Sequence, residues 1–272
     1  MRGRKTASLL VRNLSHYRRE AFVSGLERLG YDVKFTVQGS PGPGDILVIW
    51  NRYGVGEMKA REFIRAGAAV IVSENGYLDF KDTRKTFAMA LYHHNGAGNW
   101  EIHGGGRVAM LDVDVLPWRG DGTKGDILLL PQRGIGPKGV AMPKSWVSDV
   151  TTRIRRIEPR RTIRVRRHPG TQKNVQPLSD NLAGVGVCVT WASGAGLKSL
   201  LLGCPTVFEG RHWIGADAGS YGIESLSAPA RGSRESMLRR VSWAQWTLEE
   251  VEGGEPFRRL VELHSNLRGE GG

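Results

Sequence analysis

The chain has 272 residues, 40% of them apolar, which is enough for one large domain or two smaller ones with real cores, so it should fold unaided. No run of eighteen apolar residues occurs, and the opening "MRGRKTASLLVRNLSHYRRE" is too poor in apolar residues for a secretory segment, so the sequence reads as a soluble cytoplasmic protein with no integral membrane association. The formal charge of +12 favours a polyanionic partner, and the only cysteines, Cys188 and Cys204, lie in apolar segments where they are expected as reduced core thiols.

In chain order, "ASLLVRNL" predicts a first strand. "HYRREAFVSGLERLGYDVKFTV" follows with helical spacing at Phe22, Leu26 and Leu29, a Gly30 stop and a second strand. "GDILVIW" is a third strand, apolar enough to be buried on both faces of a parallel sheet. "GEMKAREFIRAG" is the next helix and "AAVIVSE" the next strand. After the Gly- and Asp-rich stretch from Trp118 to Asp126, the pattern begins again. "DILLLPQRG" reads as a strand, "SWVSDVTTRIRRI" as a helix and "RTIRVRRHPG" as a strand. "GVGVCVTWASGAGLKSLLLGCPTVFEG" gives strand, glycine-rich turn, helix and strand. Two helices close the chain, "ESMLRRVSWAQWTLEEVEGG" and "EPFRRLVELHSNL". Trp243 and Trp246 are expected to pack from one helix across the domain junction, and the tail "LRGEGG" is expected to be disordered. The fold class expected is α/β, two Rossmann-like domains with a boundary near residue 120, residues 1–120 and 121–272, the C-terminal helices belonging to the second.

In open α/β sheets ligands bind beyond the carboxyl ends of the strands, which singles out four loops. "TWASGAG" sets Thr190, Ser193 and Gly194 between a strand and a helix. Its glycines let the backbone approach a ligand, and the helix end offers N–H groups to an anion. A tight turn that merely packs is the competing reading. "RRHPG" places His168 before Pro169 at a strand end beside Arg166 and Arg167, suited to hold a phosphate. "WNRYG" brings Asn51 and Arg52, and "SENGYL" brings Glu74, Asn75 and Gly76. A further loop, "YHHNGAGNWEIHGGG", clusters His93, His94 and His103, carries Asn95 and Asn99 as well, and suits a polar acceptor better than a metal, for which ligand spacing is missing. Eight arginines fall between Arg153 and Arg167, and Arg153, Arg155, Arg156, Arg160 and Arg161 are candidate nucleic-acid contacts.

Taken in order, "WNRYG", "SENGYL", "LLLPQRG", "RRHPG" and "TWASGAGLKSLLLGCPTV" resemble the capsule polysaccharide biosynthesis family, which includes bacterial Kdo transferases and is related to bacterial sialyltransferases. The resemblance covers roughly residues 45–210 and rests on several weak motifs in sequence. It implies a metal-independent GT-B glycosyltransferase whose two domains face a central cleft, with a nucleotide-sugar donor as co-substrate and no other cofactor. On the same grounds His168 and Pro169 would hold the donor phosphate, joined by Arg133, Arg167, Thr190, Ser193 and Gly194. Glu74 falls on an acidic motif that supplies the general base, while Asn51, Arg52, His93, His94 and Asn95 would line the acceptor. The second acid of that motif is Asn75 here. The charge admits DNA as acceptor, with 5-hydroxymethylpyrimidine in bacteriophage DNA as the concrete case and the host cytoplasm as its place. A capsule or lipid-linked glycan acceptor stays open. So does a nucleic-acid-binding protein on a degenerate transferase fold, which would lack turnover of a nucleotide sugar.

Overall fold

The computed structural model describes residues 5–83, 85–170 and 176–269, leaving out the side chain of Asn95. It divides into two compact units, residues 1–112 with 241–272, and residues 113–240.

The first unit is built on a six-stranded sheet. β1 (Thr6–Leu10), α1 (Arg19–Arg28) and β2 (Asp32–Lys34) open it, followed by β3 (Ile46–Trp50), α2 (Gly54–Arg65), β4 (Ala69–Asn75) and β5 (Thr86–Leu91). The first four strands are parallel, β5 runs antiparallel to β4, and with the later strand β11 (Gln245–Thr247) the sheet order is β11-β5-β4-β3-β1-β2. Strand alternation sorts the side chains onto two faces. Leu9, Val48, Ile71, Phe87 and Met89 meet Phe22 and Leu26 of α1, whereas Leu47, Ile49, Val70 and Val72 meet Ala60 and Phe63 of α2.

The second unit holds a five-stranded parallel sheet of order β10-β9-β8-β6-β7. Its elements are β6 (Asp126–Leu130), α3 (Trp146–Ile157), β7 (Ile163–Val165), α4 (Leu178–Asn181), β8 (Val185–Thr190), α5 (Gly194–Leu201), β9 (Thr206–Phe208) and β10 (Ser220–Tyr221). Trp146, Val150 and Ile154 recur every four residues on α3 and cover Ile127, Leu129, Val187 and Val189. Leu128, Leu130 and Cys188 face Leu178, Leu182 and Cys204 on the other side. Both cysteines are buried and free, their sulfurs 3.6 Å apart.

The expected mixed α/β architecture with two parallel-sheet units is present, and the C-terminal segment corrects four expectations. The stretch read as one helix from residue 235 to 254 is α6 (Arg234–Ala244), a short strand β11 (Gln245–Thr247) and α7 (Leu248–Gly253). β11 pairs antiparallel with β5, Trp246 opposite Phe87, and Val251, Phe257 and Leu260 fill the core around Phe22. This burial assigns residues 241–272 to the first unit, not to the second as a boundary near 120 implied. Trp243 and Trp246 therefore pack in the first unit's core, and only Trp243 is helical. α8 (Glu255–Gly269) carries helix through residues 267–269 of the tail expected to be disordered, and residues 270–272 lie outside the described residues. Among the described residues no helix is long and apolar enough to cross a membrane.

Candidate functional site

Each unit presents its own constellation at the carboxyl ends of its parallel strands. In the second, the end of β8 is knit internally. Thr190 is fully buried. Its hydroxyl donates to the Leu130 carbonyl at 2.9 Å and lies 2.8 Å from Ser193 Oγ, and it accepts the Ser193 N–H at 3.1 Å. Ser193 Oγ accepts the Gly196 N–H at 3.1 Å and so caps α5. Thr190, expected as a donor contact, instead stands behind Ser193 and positions it. Gly196 lets Trp213 pack beneath the first turn of α5, because a Cβ there would meet the indole at 2.8 Å. Gln132 ties the β6 loop to this turn, donating to the Ala192 carbonyl at 3.0 Å and accepting its N–H at 3.1 Å. The exposed Gly194 and the following N–H groups of α5 remain at the positive end of the helix.

Beyond β7, the His-Pro turn closes on itself, Gly170 N–H donating to His168 Nδ1 at 2.9 Å. The neutral ring must then carry its proton on Nε2. Partial burial, with the guanidiniums of Arg133 and Arg166 nearby, holds this imidazole below the ordinary 6.5. The ring is thus a neutral donor near pH 7. A cavity of about 240 Å³ opens beside it, lined by Leu128, Arg164, Arg166, Arg167, Pro169 and Asn181.

In the first unit the stretch "ENGYL" is explained residue by residue. Glu74 pairs with Ala88 near the end of β4, and Tyr77 Oη donates to its Oε1 at 2.7 Å. Gly76 is required by crowding, since a Cβ would meet Thr86 Oγ1 at 1.7 Å. Leu78 is buried, and Gln245 of β11 accepts the N–H groups of Tyr77 and Leu78 at 3.0 and 3.1 Å while donating to the Leu78 carbonyl at 2.8 Å. The tip that aims Glu74 is therefore held by the C-terminal segment. Tyr77 and Gln245 were both missed from the sequence. Tyr77 carried a signal, its place three residues after the acid, whereas Gln245 carried none.

Strand alternation puts Asn75 on the opposite face from Glu74, where Lys85 Nζ donates to Asn75 Oδ1 at 3.0 Å. Arg52 and His93 come together but inward. Arg52, 5% exposed, donates to Glu57 at 2.6 Å and to the Tyr92 carbonyl, and lies 3.0 Å from His93 Nε2. Burial opposes ionisation of Glu57, but hydrogen bonds from Arg61 and Arg52 outweigh it and hold the carboxyl below its usual range. Arg52 is thus a clamp between α2 and the loop after β5. Asn51 adopts a left-handed φ of 60°, and buried His94 has Nδ1 without a partner among the described residues. The Asn95 side chain lies outside the described residues.

The arginines proposed for nucleic acid are largely occupied. Arg153 bridges Glu209 and Glu224, Arg155 donates to the carbonyls of Pro159 and Arg161, and Arg161 to those of Lys124 and Gly125. Arg156 and Arg160 are exposed, with no hydrogen bond or ion pair among the described residues. Among those residues no group of three or more His, Cys, Asp or Glu side chains is placed to hold a metal ion.

No protein-family model and no curated protein matches this chain. Among solved structures it is similar to a β-Kdo 2,4 transferase, KpsC of Thermosulfurimonas dismutans, with 14% identity over 89% of this chain and 92% of that one, at a TM-score of 0.54. A β-Kdo 2,7 transferase of the same organism aligns with 12% identity over 93% of this chain and 99% of that one, at a TM-score of 0.49. At such identity the first is a likeness of fold.

Proposed function

We propose that the chain is a glycosyltransferase that moves a sugar from a nucleotide-sugar donor to a hydroxyl acceptor. The observation that carries this reading is the His168 turn, a neutral Nε2–H donor set among arginines at the sheet edge that also holds the Ser193-capped end of α5. The donor phosphate would accept from His168 and the first N–H groups of α5, with Arg133 and Arg167 adding charge in place of a metal ion. The fold shared with a Kdo transferase supports a two-domain transferase of the GT-B type.

A sugar or nucleoside hydroxyl is a weak nucleophile, and Glu74 supplies the base. As the acceptor oxygen forms its bond to the anomeric carbon, its proton passes to the carboxylate. The bond from that carbon to the phosphate oxygen breaks, and the electron pair leaves on the phosphate. Tyr77, donating to one oxygen of Glu74, orients the carboxylate for this transfer. The net charge of +12 favours DNA carrying 5-hydroxymethylpyrimidine over a neutral glycan as acceptor.

The test is transfer from a panel of UDP-, GDP- and CMP-sugars to DNA containing 5-hydroxymethylcytosine or 5-hydroxymethyluracil and to oligosaccharides, read by mass spectrometry. Glu74→Ala and His168→Ala should each lower turnover by about 10²–10⁴-fold. A hexose increment on an oligosaccharide alone would move the acceptor to glycans. Folded protein that neither transfers nor hydrolyses any donor would remove the transferase reading in favour of a binding module.

A further inference from the structure

We propose that Lys85 and Arg18, at the carboxyl-end tips of the first unit's sheet, form a phosphodiester-binding point that holds a nucleic-acid strand beside the rings of His16 and Tyr17. The proposal rests on the nucleic-acid acceptor reading above and moves its contact surface away from the arginines of α3.

Alternation fixes the location. Lys85 shares its face of β5 with Phe87 and Met89, Asn75 shares that face on β4 with Ile71, and Trp50 shares it on β3 with Val48. Below the tips α1 covers this face, and at the tips the loop from β1 to α1 brings in Tyr17, whose ring centroid is 4.7 Å from that of Trp50. Lys85 Nζ stands 4.8 Å from the Phe87 ring centroid and 5.8 Å from that of Trp50, a posture that restrains the ammonium without neutralising it. Its hydrogen bond goes to an amide, Asn75, and among the described residues no carboxylate forms an ion pair with it.

Arg18 is held at a cost. It is exposed, adopts left-handed φ 50° and ψ 45° without being glycine, and occupies the N-cap of α1 with no side-chain cap bond. A cation at that end opposes the helix dipole. Three locally unfavourable choices at one position point to a role outside the fold. Burial and then the charge of Arg18 lower the Lys85 ammonium below its ordinary range, so the two cations repel each other. An incoming anion relieves that repulsion. The rings of His16 and Tyr17, 3.9 Å apart and adjoining Arg18, supply the aromatic surface on which single-stranded bases stack.

The test is fluorescence anisotropy with a labelled single-stranded oligonucleotide of about twelve nucleotides, without nucleotide sugar and across a salt series. Because binding is read without donor, a failed transferase assay leaves the result standing. Two phosphate contacts on single strands contribute a salt slope of about −1.4, so at about 0.1 M salt the pair is worth roughly 25-fold relative to 1 M. Lys85→Gln combined with Arg18→Gln should lose about that factor and flatten the slope by about 1.4. Arg18→Gly removes the charge while suiting the left-handed backbone, so it should weaken binding in a protein that melts no lower than the parent. Lys85→Arg should retain affinity. Unchanged affinity in the double variant, loss only on Arg156→Gln with Arg160→Gln, or equal displacement by a carboxylate polysaccharide would each overturn the proposal, as would the absence of salt-sensitive binding in the parent.

Discussion

Replacing Gln245 should damage the first unit well beyond what a three-residue strand suggests. The side chain is fully buried and makes three hydrogen bonds to the turn at Tyr77 and Leu78. Gln245→Ala removes all of them. The Leu78 carbonyl keeps the Thr86 hydroxyl at 3.3 Å, and half-buried Tyr77 can hydrate its N–H, but the Leu78 N–H is left buried and unpaired. An orphaned buried donor costs about 1–3 kcal/mol, and the remaining lost bonds about 1 more. A total of about 2–4 kcal/mol lowers the midpoint of a unit this size by roughly 5–12 °C, read by calorimetry. Gln245→Met, which keeps volume and drops the bonds, should show most of the same loss. A drop below about 2 °C in both variants would refute the assignment of this turn to Gln245. Well below the melt, either variant should also lose turnover, because the turn aims Glu74.

Ser193→Ala removes the α5 cap while the Thr190 hydroxyl keeps the Leu130 carbonyl and the backbone N–H of residue 193, so stability should fall by about 1 kcal/mol and the KM for donor should rise more than kcat falls, in urea titrations and steady-state kinetics. Arg52→Met leaves the Tyr92 carbonyl unpaired while Glu57 keeps Arg61, so the loss should be about 2–3 kcal/mol in urea unfolding. His168 should appear by nitrogen NMR as the Nε2–H tautomer, titrating below 6.5 in the free protein. Protonation would turn Nδ1 from acceptor to donor against Gly170 N–H. The turn's contribution to stability is therefore present above the unfolded histidine pKa and lost as pH falls through the lower folded value. An Nδ1–H tautomer would contradict the reading.

The strands β1, β3, β4, β6 and β8 were legible because each is a run of apolar residues long enough to be buried on both faces. α1 was legible from its stripe at Phe22, Leu26 and Leu29, and α2 and α3 as the segments between strands. β5 was passed over, since "TFAMAL" begins ten residues after Gly76, too far for the two-residue turn that Asn75-Gly76 would signal. β11 was hidden inside a helix-like segment, its strand state imposed by pairing with residues 86–88 and not by its own propensity. The candidate site was legible as loops at strand ends, which placed Glu74, His168 and Ser193. What each side chain does there was not, because Arg153, Arg155 and Arg161 look alike in sequence until the carbonyls and carboxylates they bind are known.

The placement of β11 also bears on how the chain matures at the ribosome. Residues 113–240 form a unit continuous in sequence and are able to close as soon as they emerge. The first unit begins earlier and finishes later, waiting through that whole insertion with the outer edge of β5 unpaired and Phe22 lacking Phe257. An uncovered strand edge flanked by apolar side chains is a template for other chains. A fragment ending at residue 112 should accordingly self-associate, and supplying residues 241–272 in trans should suppress that association. Nascent chains would be most exposed to misassembly, and most dependent on chaperone binding, during synthesis of the second unit.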